Sequence, residues 1–147
     1  METHTPDADA LAGLTRVLVL AGPTAVGKTE LSLQLAQATS AEIVGMDSVQ
    51  IYRELDIGSA KATEAERARV PHHVIDVLEP DVEHNVGDYA ERARAAIDEI
   101  AGRGRRAIVV GGTGLYLRVL VHGLLDAPPP DWELRAEHDR AASERGV

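Results

Sequence analysis

One run of residues carries the most specific chemistry in the sequence. Gly22, Pro23, Thr24, Ala25, Val26, Gly27, Lys28 and Thr29 fit the pattern G-x-x-x-x-G-K-[ST] at every fixed position. The glycines permit a tight loop whose backbone N–H groups point inward at phosphate oxygens. A helix opening at Lys28 adds unpaired N–H groups and the positive end of its dipole. Lys28 supplies a charge for the terminal phosphate, and the Thr29 hydroxyl supplies a place on Mg²⁺. In a chain of this length the fixed positions coincide by chance on the order of one time in a hundred, before a strand on one side and a helix on the other are demanded. The pattern predicts binding of a diphosphate or triphosphate. It leaves open whether the carrier is ATP, another nucleotide or something else.

The elements that must hold this loop are legible around it. Arg16 to Ala21 is a continuous apolar run ending at Gly22-Pro23, and it reads as a strand buried on both faces. Leu31, Leu35 and Ala38 then recur at helical spacing, which predicts a helix from Lys28 to about Thr39 with that stripe buried. Glu42 to Met46 reads as a second strand, and His73 to Val77 as a third after an irregular stretch through Val70. Asn85 is a good N-cap, with Asp88 completing a capping box and Tyr89, Ala93, Ile97 and Ile100 marking one helical face that ends at Gly102 and Gly104. A fourth strand over Ala107 to Val110 closes at Gly111-Gly112, and a helix follows from about Thr113 to His122. Strands alternating with helices predict an α/β fold: an open parallel sheet of the P-loop NTPase kind, with helices on both faces. Residues 1–12 read as a disordered tail, 13–125 as the P-loop core, and 126–147 as a linker containing Pro128-Pro129-Pro130 and a helix opened by Asp131.

In an open parallel sheet, ligands bind beyond the carboxyl ends of the strands, so the residues just past each strand are the candidates for chemistry. Asp47 is either a general base or Mg²⁺ ligand, or a cap for the turn it opens. Thr113 either faces the phosphate loop or N-caps the next helix, the commoner role. Asp76 reads as a polar strand-end residue. His72 and His73 would point to opposite faces of a strand, so one metal cannot readily take both. The basic run Arg103-Gly104-Arg105-Arg106 falls at the opposite end of the sheet and reads as solvated surface.

Composition narrows the class. With 44% hydrophobic and 27% charged residues, the 147-residue chain has an ordinary globular balance. A net charge of -9, from 15 Lys+Arg against 24 Asp+Glu, argues against a general nucleic-acid coating protein but leaves room for a local basic site. The absence of Cys rules out disulfides and thiolate metal sites and fits the cytoplasm. No apolar run approaches the ~18 residues of a membrane helix. Phe is absent, so Leu, Val, Ile and Ala must build the core. Lys28 and Lys61 are the only lysines beside many arginines, which marks them as positions where a planar guanidinium will not serve.

Five ordered motifs resemble those of the bacterial tRNA dimethylallyltransferases, also called tRNA isopentenyltransferases. They are Gly22 to Thr29, Asp47-Ser48-Val49-Gln50-Ile51-Tyr52, Asp56-Ile57-Gly58-Ser59-Ala60-Lys61, Pro71-His72-His73-Val74-Ile75-Asp76, and Gly111-Gly112-Thr113-Gly114-Leu115-Tyr116. The resemblance runs from about residue 16 to at least 125, and both lysines fall inside these motifs. It implies transfer of a dimethylallyl group from dimethylallyl diphosphate to N6 of the adenosine following the anticodon, with release of diphosphate. It further implies that the loop from Gly22 to Thr29 holds the diphosphate with Mg²⁺, that Asp47 is the catalytic base, and that Thr113 supports the reaction. Asp47, Ser48, Val49, Gln50 and Thr113, with a looser match at Arg135, would contact the tRNA anticodon stem-loop. Departures from the family pattern are mild: Asn85 to Tyr89 differ from the commonest form, and Ser59 stands where Thr is frequent. Members of this family are about twice this length, so the chain is expected to be an N-terminal part that enters a helical insertion near Asp131 and acts as a monomer. An adenylate isopentenyltransferase, a small-molecule P-loop kinase and an inactive diphosphate-binding fragment are the alternatives.

Overall fold

The computed structural model describes residues 17–125 and 131–146. The expected N-terminal tail and the proline break at residues 128–130 lie outside the described residues. The elements run β1 (Val17–Ala21), α1 (Lys28–Thr39), β2 (Glu42–Met46), α2 (Glu64–Arg69), β3 (His72–His73), α3 (Val86–Gly102), β4 (Ala107–Gly111), α4 (Gly114–His122) and α5 (Trp132–Arg145). The strands form one parallel sheet in the order β1-β4-β2-β3. The chain crosses from β1 over to β2 by way of α1 and returns by way of α3 to insert β4 between them. The carboxyl ends of β1, β4 and β2 therefore lie side by side, each with its own loop.

Successive strand residues face opposite sides, so β2 and β4 feed two cores. On one side Val44, Met46 and Val109 pack with Tyr89, Ala93, Ile97 and Ile100 of α3 and Tyr116 of α4. On the other, Ile43 and Ile108 pack with Leu33 and Ala36 of α1. The α3 face is the one its spacing predicts, and Asn85 Oδ1 accepts from Gly87 N and Asp88 N while Asp88 bonds back to Asn85 N. Each fully buried Val, Leu or Ile contributes roughly 1.5–3 kcal/mol. Two buried polar atoms of this layer, His84 Nε2 and Tyr89 OH, lack a partner among the described residues. Burial pushes the Tyr89 hydroxyl well above the usual tyrosine range.

Several expectations need correction. β1 is not buried on both faces: among the described residues it pairs with β4 alone, at an edge of the sheet, and leaves Leu18 50% and Val19 38% exposed. An apolar run alone does not distinguish an interior strand from an edge strand. The buried stripe of α1 is Ser32, Leu33 and Ala36, with Leu35 partly covered and Leu31 and Ala38 exposed. Ser32 can occupy a core position because its hydroxyl donates to the Thr29 carbonyl at 2.7 Å. The third strand stops after His73, since Val74 turns into the left-handed region at φ 57 and Asp76 follows at φ 59. The stretch read as irregular contains α2, whose Thr63–Glu66 capping box is visible in the sequence. Arg103 and Arg105 are not merely solvated. With His73 Nε2 at 2.6 Å they enclose the buried Glu42 carboxylate, Arg103 donating at 2.8 Å and Arg105 at 3.4 Å. Burial opposes the charge on Glu42, yet bonds from Arg103 and His73 hold its carboxyl below the usual range.

The sheet closes most tightly where β2 and β4 end. A Cβ on Gly111 would stand 1.9 Å from the Met46 carbonyl oxygen, and one on Gly45 would stand 2.9 Å from the Val74 oxygen. Gly111→Ala must push β4 away from β2. It is expected to cost about 3 kcal/mol or more in urea unfolding, whereas Gly58→Ala, which meets open space, is expected to stay within ~0.5 kcal/mol of the parent. A parental midpoint for Gly111→Ala would contradict this packing.

Candidate active site

The loop between β1 and α1 is shaped by two residues in the left-handed region, Ala25 at φ 65 and Gly27 at φ 85. Left-handed residues on either side of Val26 turn successive N–H groups to one side and make a concavity suited to anions. Gly27 then caps α1, whose first turn presents its unpaired N–H groups to the same space. Lys28 reaches back over the loop and donates from Nζ to the Pro23 carbonyl at 2.6 Å. The loop is tied to the sheet by Gly22 N, which donates to the Gly111 carbonyl at 3.3 Å.

At the end of β2, Asp47 Oδ1 accepts from Val49 N at 2.9 Å and from Gln50 N at 3.2 Å. The capping reading of Asp47 is thus correct for one carboxylate oxygen. It does not compete with a chemical role, because an ionised carboxylate has a second oxygen with its own lone pairs. Thr113 caps α4 without a side-chain cap bond; instead its hydroxyl accepts from Ser48 N at 3.2 Å, and its own N–H donates to the Met46 carbonyl at 3.3 Å. Thr113 therefore holds the N-cap position of α4 while its hydroxyl ties the loop after β4 to the loop after β2.

These loops surround a cleft of about 340 Å³ lined by Thr24, Ala25, Gly27, Lys28, Thr29, Asp47, Gln50, Ser59, Ala60 and the end of β4. The loop from Gly22 to Thr29 and Asp47, far apart in sequence, share this one space. Gly22, Pro23, Val26, Ser48, Val49 and Thr113 stand around the cleft without lining it. Arg135 is not brought to the cleft: it lies in α5, its guanidinium 5.3 Å from the Trp132 ring centroid, on a helix that buries none of its residues. Thr29 and Asp47 are among the residues bordering the cleft whose side-chain oxygens suit a hard cation. Among the described residues no cluster of three or more His, Cys, Asp or Glu could hold a metal ion. His72 Nδ1 instead approaches the Val70 carbonyl at 2.8 Å.

Sequence reasoning missed the far wall, Ser59 and Ala60. Gln50 Nε2 donates to both of their carbonyls, at 2.8 and 3.4 Å. Behind this wall the Lys61 ammonium is buried with Asp56 at 2.6 Å and Asp76 at 2.9 Å, and Arg67 donates to the other oxygen of Asp76 at 2.7 Å. Asp76 is thus an anchor in an ionic cluster, which corrects its reading as a strand-end residue. The rarity of lysine was the available signal. Burial works against the Lys61 charge, but the hydrogen bonds it donates to Asp56 and Asp76 hold it above the usual lysine range. Bonds from Arg67 and then Lys61 hold the Asp76 carboxyl below its usual range.

The chain belongs to the IPP transferase family, whose model matches residues 50–147. It is 52% identical over 129 residues to tRNA dimethylallyltransferase 1 of Citrifermentans bemidjiense, covering 88% of this chain and 42% of that protein. It is 54% identical over 130 residues to the tRNA dimethylallyltransferase of Koribacter versatilis, again covering 88% of this chain and 42% of the relative. Among solved structures it resembles the full-length tRNA isopentenylpyrophosphate transferase of Bacillus halodurans, with a TM-score of 0.74 at 39% identity over 89% of this chain and 44% of that one. It also resembles a eukaryotic dimethylallyltransferase acting on tRNA, with a TM-score of 0.72 at 36% identity over 80% of this chain and 30% of that one. The chain thus spans about two fifths of the length of the curated relatives it matches.

The lowered Asp76 pKa sets a pH dependence. A carboxyl depressed in the folded state contributes stability that is present above its unfolded value of about 3.9 and is lost as pH falls through the folded value. The unfolding midpoint of Asp76→Asn is expected to fall below the parent's at pH 6, with the gap closing below about pH 4. A gap independent of pH would contradict an ionic role for Asp76.

Proposed function

We propose that the protein forms the donor-binding and catalytic part of an enzyme that transfers the dimethylallyl group of dimethylallyl diphosphate to N6 of the adenosine 3′ of the anticodon in tRNA. The observation that carries this reading is the single cleft on which an anion-binding loop and the Asp47 carboxylate both open. The names of the relatives supply the prenyl donor class and the acceptor. A tRNA substrate and a chain without Cys fit work in the cytoplasm.

The chemistry needs two things at once. As the C1–O bond of the donor breaks, its electron pair leaves with the diphosphate, and the loop N–H groups and Lys28 stabilise that charge. As the N6 lone pair forms the new C–N bond, the amine loses a proton. An exocyclic amine is a weak nucleophile, so a positioned carboxylate that accepts the proton lowers the barrier, and Asp47 fills that role through the oxygen its turn does not need. The Asp47 Oδ1 bonds and the Thr113–Ser48 bond hold that carboxylate still. Adenine must leave the anticodon-loop stack to reach the cleft, beside Ser48, Val49 and Gln50.

Mg²⁺ fits the residues present. It dehydrates reluctantly and is held by one or two protein oxygens plus substrate phosphates and water, and the Thr29 hydroxyl borders the anion-binding loop. When bound it would offset charge on the departing diphosphate.

The test joins the chain to the C-terminal portion of its Citrifermentans bemidjiense relative and supplies dimethylallyl diphosphate, Mg²⁺ and an anticodon stem-loop. N6-prenyl-adenosine is the expected product by mass spectrometry of digested RNA. Asp47→Asn keeps an oxygen for the turn and loses the base, so kcat is expected to fall about 10²- to 10⁴-fold with the KM for the donor little changed. Undiminished turnover in Asp47→Asn would remove Asp47 from the chemistry.

A further inference from the structure

Lys61 takes no part in the chemistry above, yet it is the more deeply buried of the two lysines, with 1% of its side chain exposed. Its ammonium has three N–H donors, and three acceptors meet them: the Tyr52 carbonyl at 2.7 Å, Asp56 Oδ1 at 2.6 Å and Asp76 Oδ1 at 2.9 Å. No donor remains for a substrate, so any influence on the reaction passes through the groups it holds.

Those groups encircle one wall of the cleft. Tyr52 lies just past Gln50, Asp76 N donates to the Gln50 carbonyl at 3.0 Å, and Asp56 opens the segment that leads to Ser59 and Ala60. The Gln50 amide completes the ring by donating to the Ser59 and Ala60 carbonyls. Ala60 sits at φ 50, a conformation a non-glycine residue keeps only when its surroundings impose it, and the anchor that does so is the next residue in the chain. The phosphate loop, by contrast, has its own ties to the sheet, through Gly22 and Gly111.

We propose that Lys61 is a positioning residue: its buried ammonium fixes the Ser59–Ala60 wall and the Gln50 amide in the place where the acceptor base must seat, leaving the donor half of the cleft unaffected. This rests on the prenyl-transfer reading. Arginine cannot substitute, since the acceptors converge on a point and a guanidinium spreads its donors in a plane.

Three variants test it in the joined protein: Lys61→Met removes the charge at similar length, Lys61→Arg keeps the charge and changes its shape, and Asp56→Ala cuts one arm at a carboxylate that is 63% exposed. With RNA and dimethylallyl diphosphate varied in turn, Lys61→Met is expected to raise the KM for RNA about tenfold or more and to leave the KM for the donor within about twofold. Lys61→Arg is expected not to restore it, and Asp56→Ala to show the same split in smaller degree. Equal loss toward both substrates, or full rescue by Lys61→Arg, overturns the proposal. Should Lys61→Met fail to fold, Asp56→Ala decides by the same split. If the parent protein forms no prenylated product, the function reading fails by itself, and hydrogen exchange of the 147-residue chain judges the anchor. The hydrogen-bonded amides of Tyr52, Arg53, Asp76 and Val77 should then exchange about tenfold faster in Lys61→Met or Asp56→Ala than in the parent, and unchanged rates overturn the proposal.

Discussion

The approach of β4 to β2 at Gly111 is the constraint on which the rest of the site depends. There is no room for a side chain between Gly111 and the Met46 carbonyl, so the two strands end in contact. Three polar ties between the loops at the strand ends accompany that closeness. Gly22 N reaches the Gly111 carbonyl, Thr113 N reaches the Met46 carbonyl, and Ser48 N reaches the Thr113 hydroxyl. Three loops that are distant in sequence are thereby held as one surface. A parallel sheet with β4 inserted between β1 and β2 is the topology that lets the loop after β1 and the aspartate after β2 face each other.

The second half of the cleft is held by charge. Between β2 and β3 the chain makes a long excursion that is pinned to the hydrocarbon core at Ile51 and Val70. Lys61, Asp56 and Arg67 fasten its middle to Asp76 in the turn after β3. Removing one member would leave the others poorly compensated, which makes such a cluster costly to break and gives it a defined geometry. The opposite end of the sheet uses a similar device with Glu42 among Arg103, Arg105 and His73, so each end is fastened by ion pairs around one buried charge, the Lys61 ammonium or the Glu42 carboxylate, and the middle by hydrocarbon.

Much of this was legible in the sequence because local rules and tertiary demands agreed. The loop from Gly22 to Thr29, the cap at Asn85, the strand from Glu42 to Met46 and the α3 face all follow from residue chemistry that needs no partner to be recognised. What was not legible depended on neighbours. Leu18 and Val19 look like interior strand residues until the strand order puts them at an edge. Ser32 looks solvent-facing until its hydroxyl finds the Thr29 carbonyl. Asp76 looks like a strand end until a left-handed turn at Val74 brings it to Lys61. The wall of Ser59 and Ala60 has no motif of its own, since its part in the cleft is played by backbone carbonyls.

Under the proposed function, the loop from Gly22 to Thr29 serves a prenyl diphosphate leaving group and not a nucleoside triphosphate. Calorimetric titration of the protein with dimethylallyl diphosphate in Mg²⁺, repeated with inorganic diphosphate or ATP already present, tests it most directly. One site per chain is expected, with competition by inorganic diphosphate, loss of binding in Lys28→Ala, and weaker binding of ATP than of the prenyl diphosphate. Tight ATP binding that dimethylallyl diphosphate does not displace would contradict it.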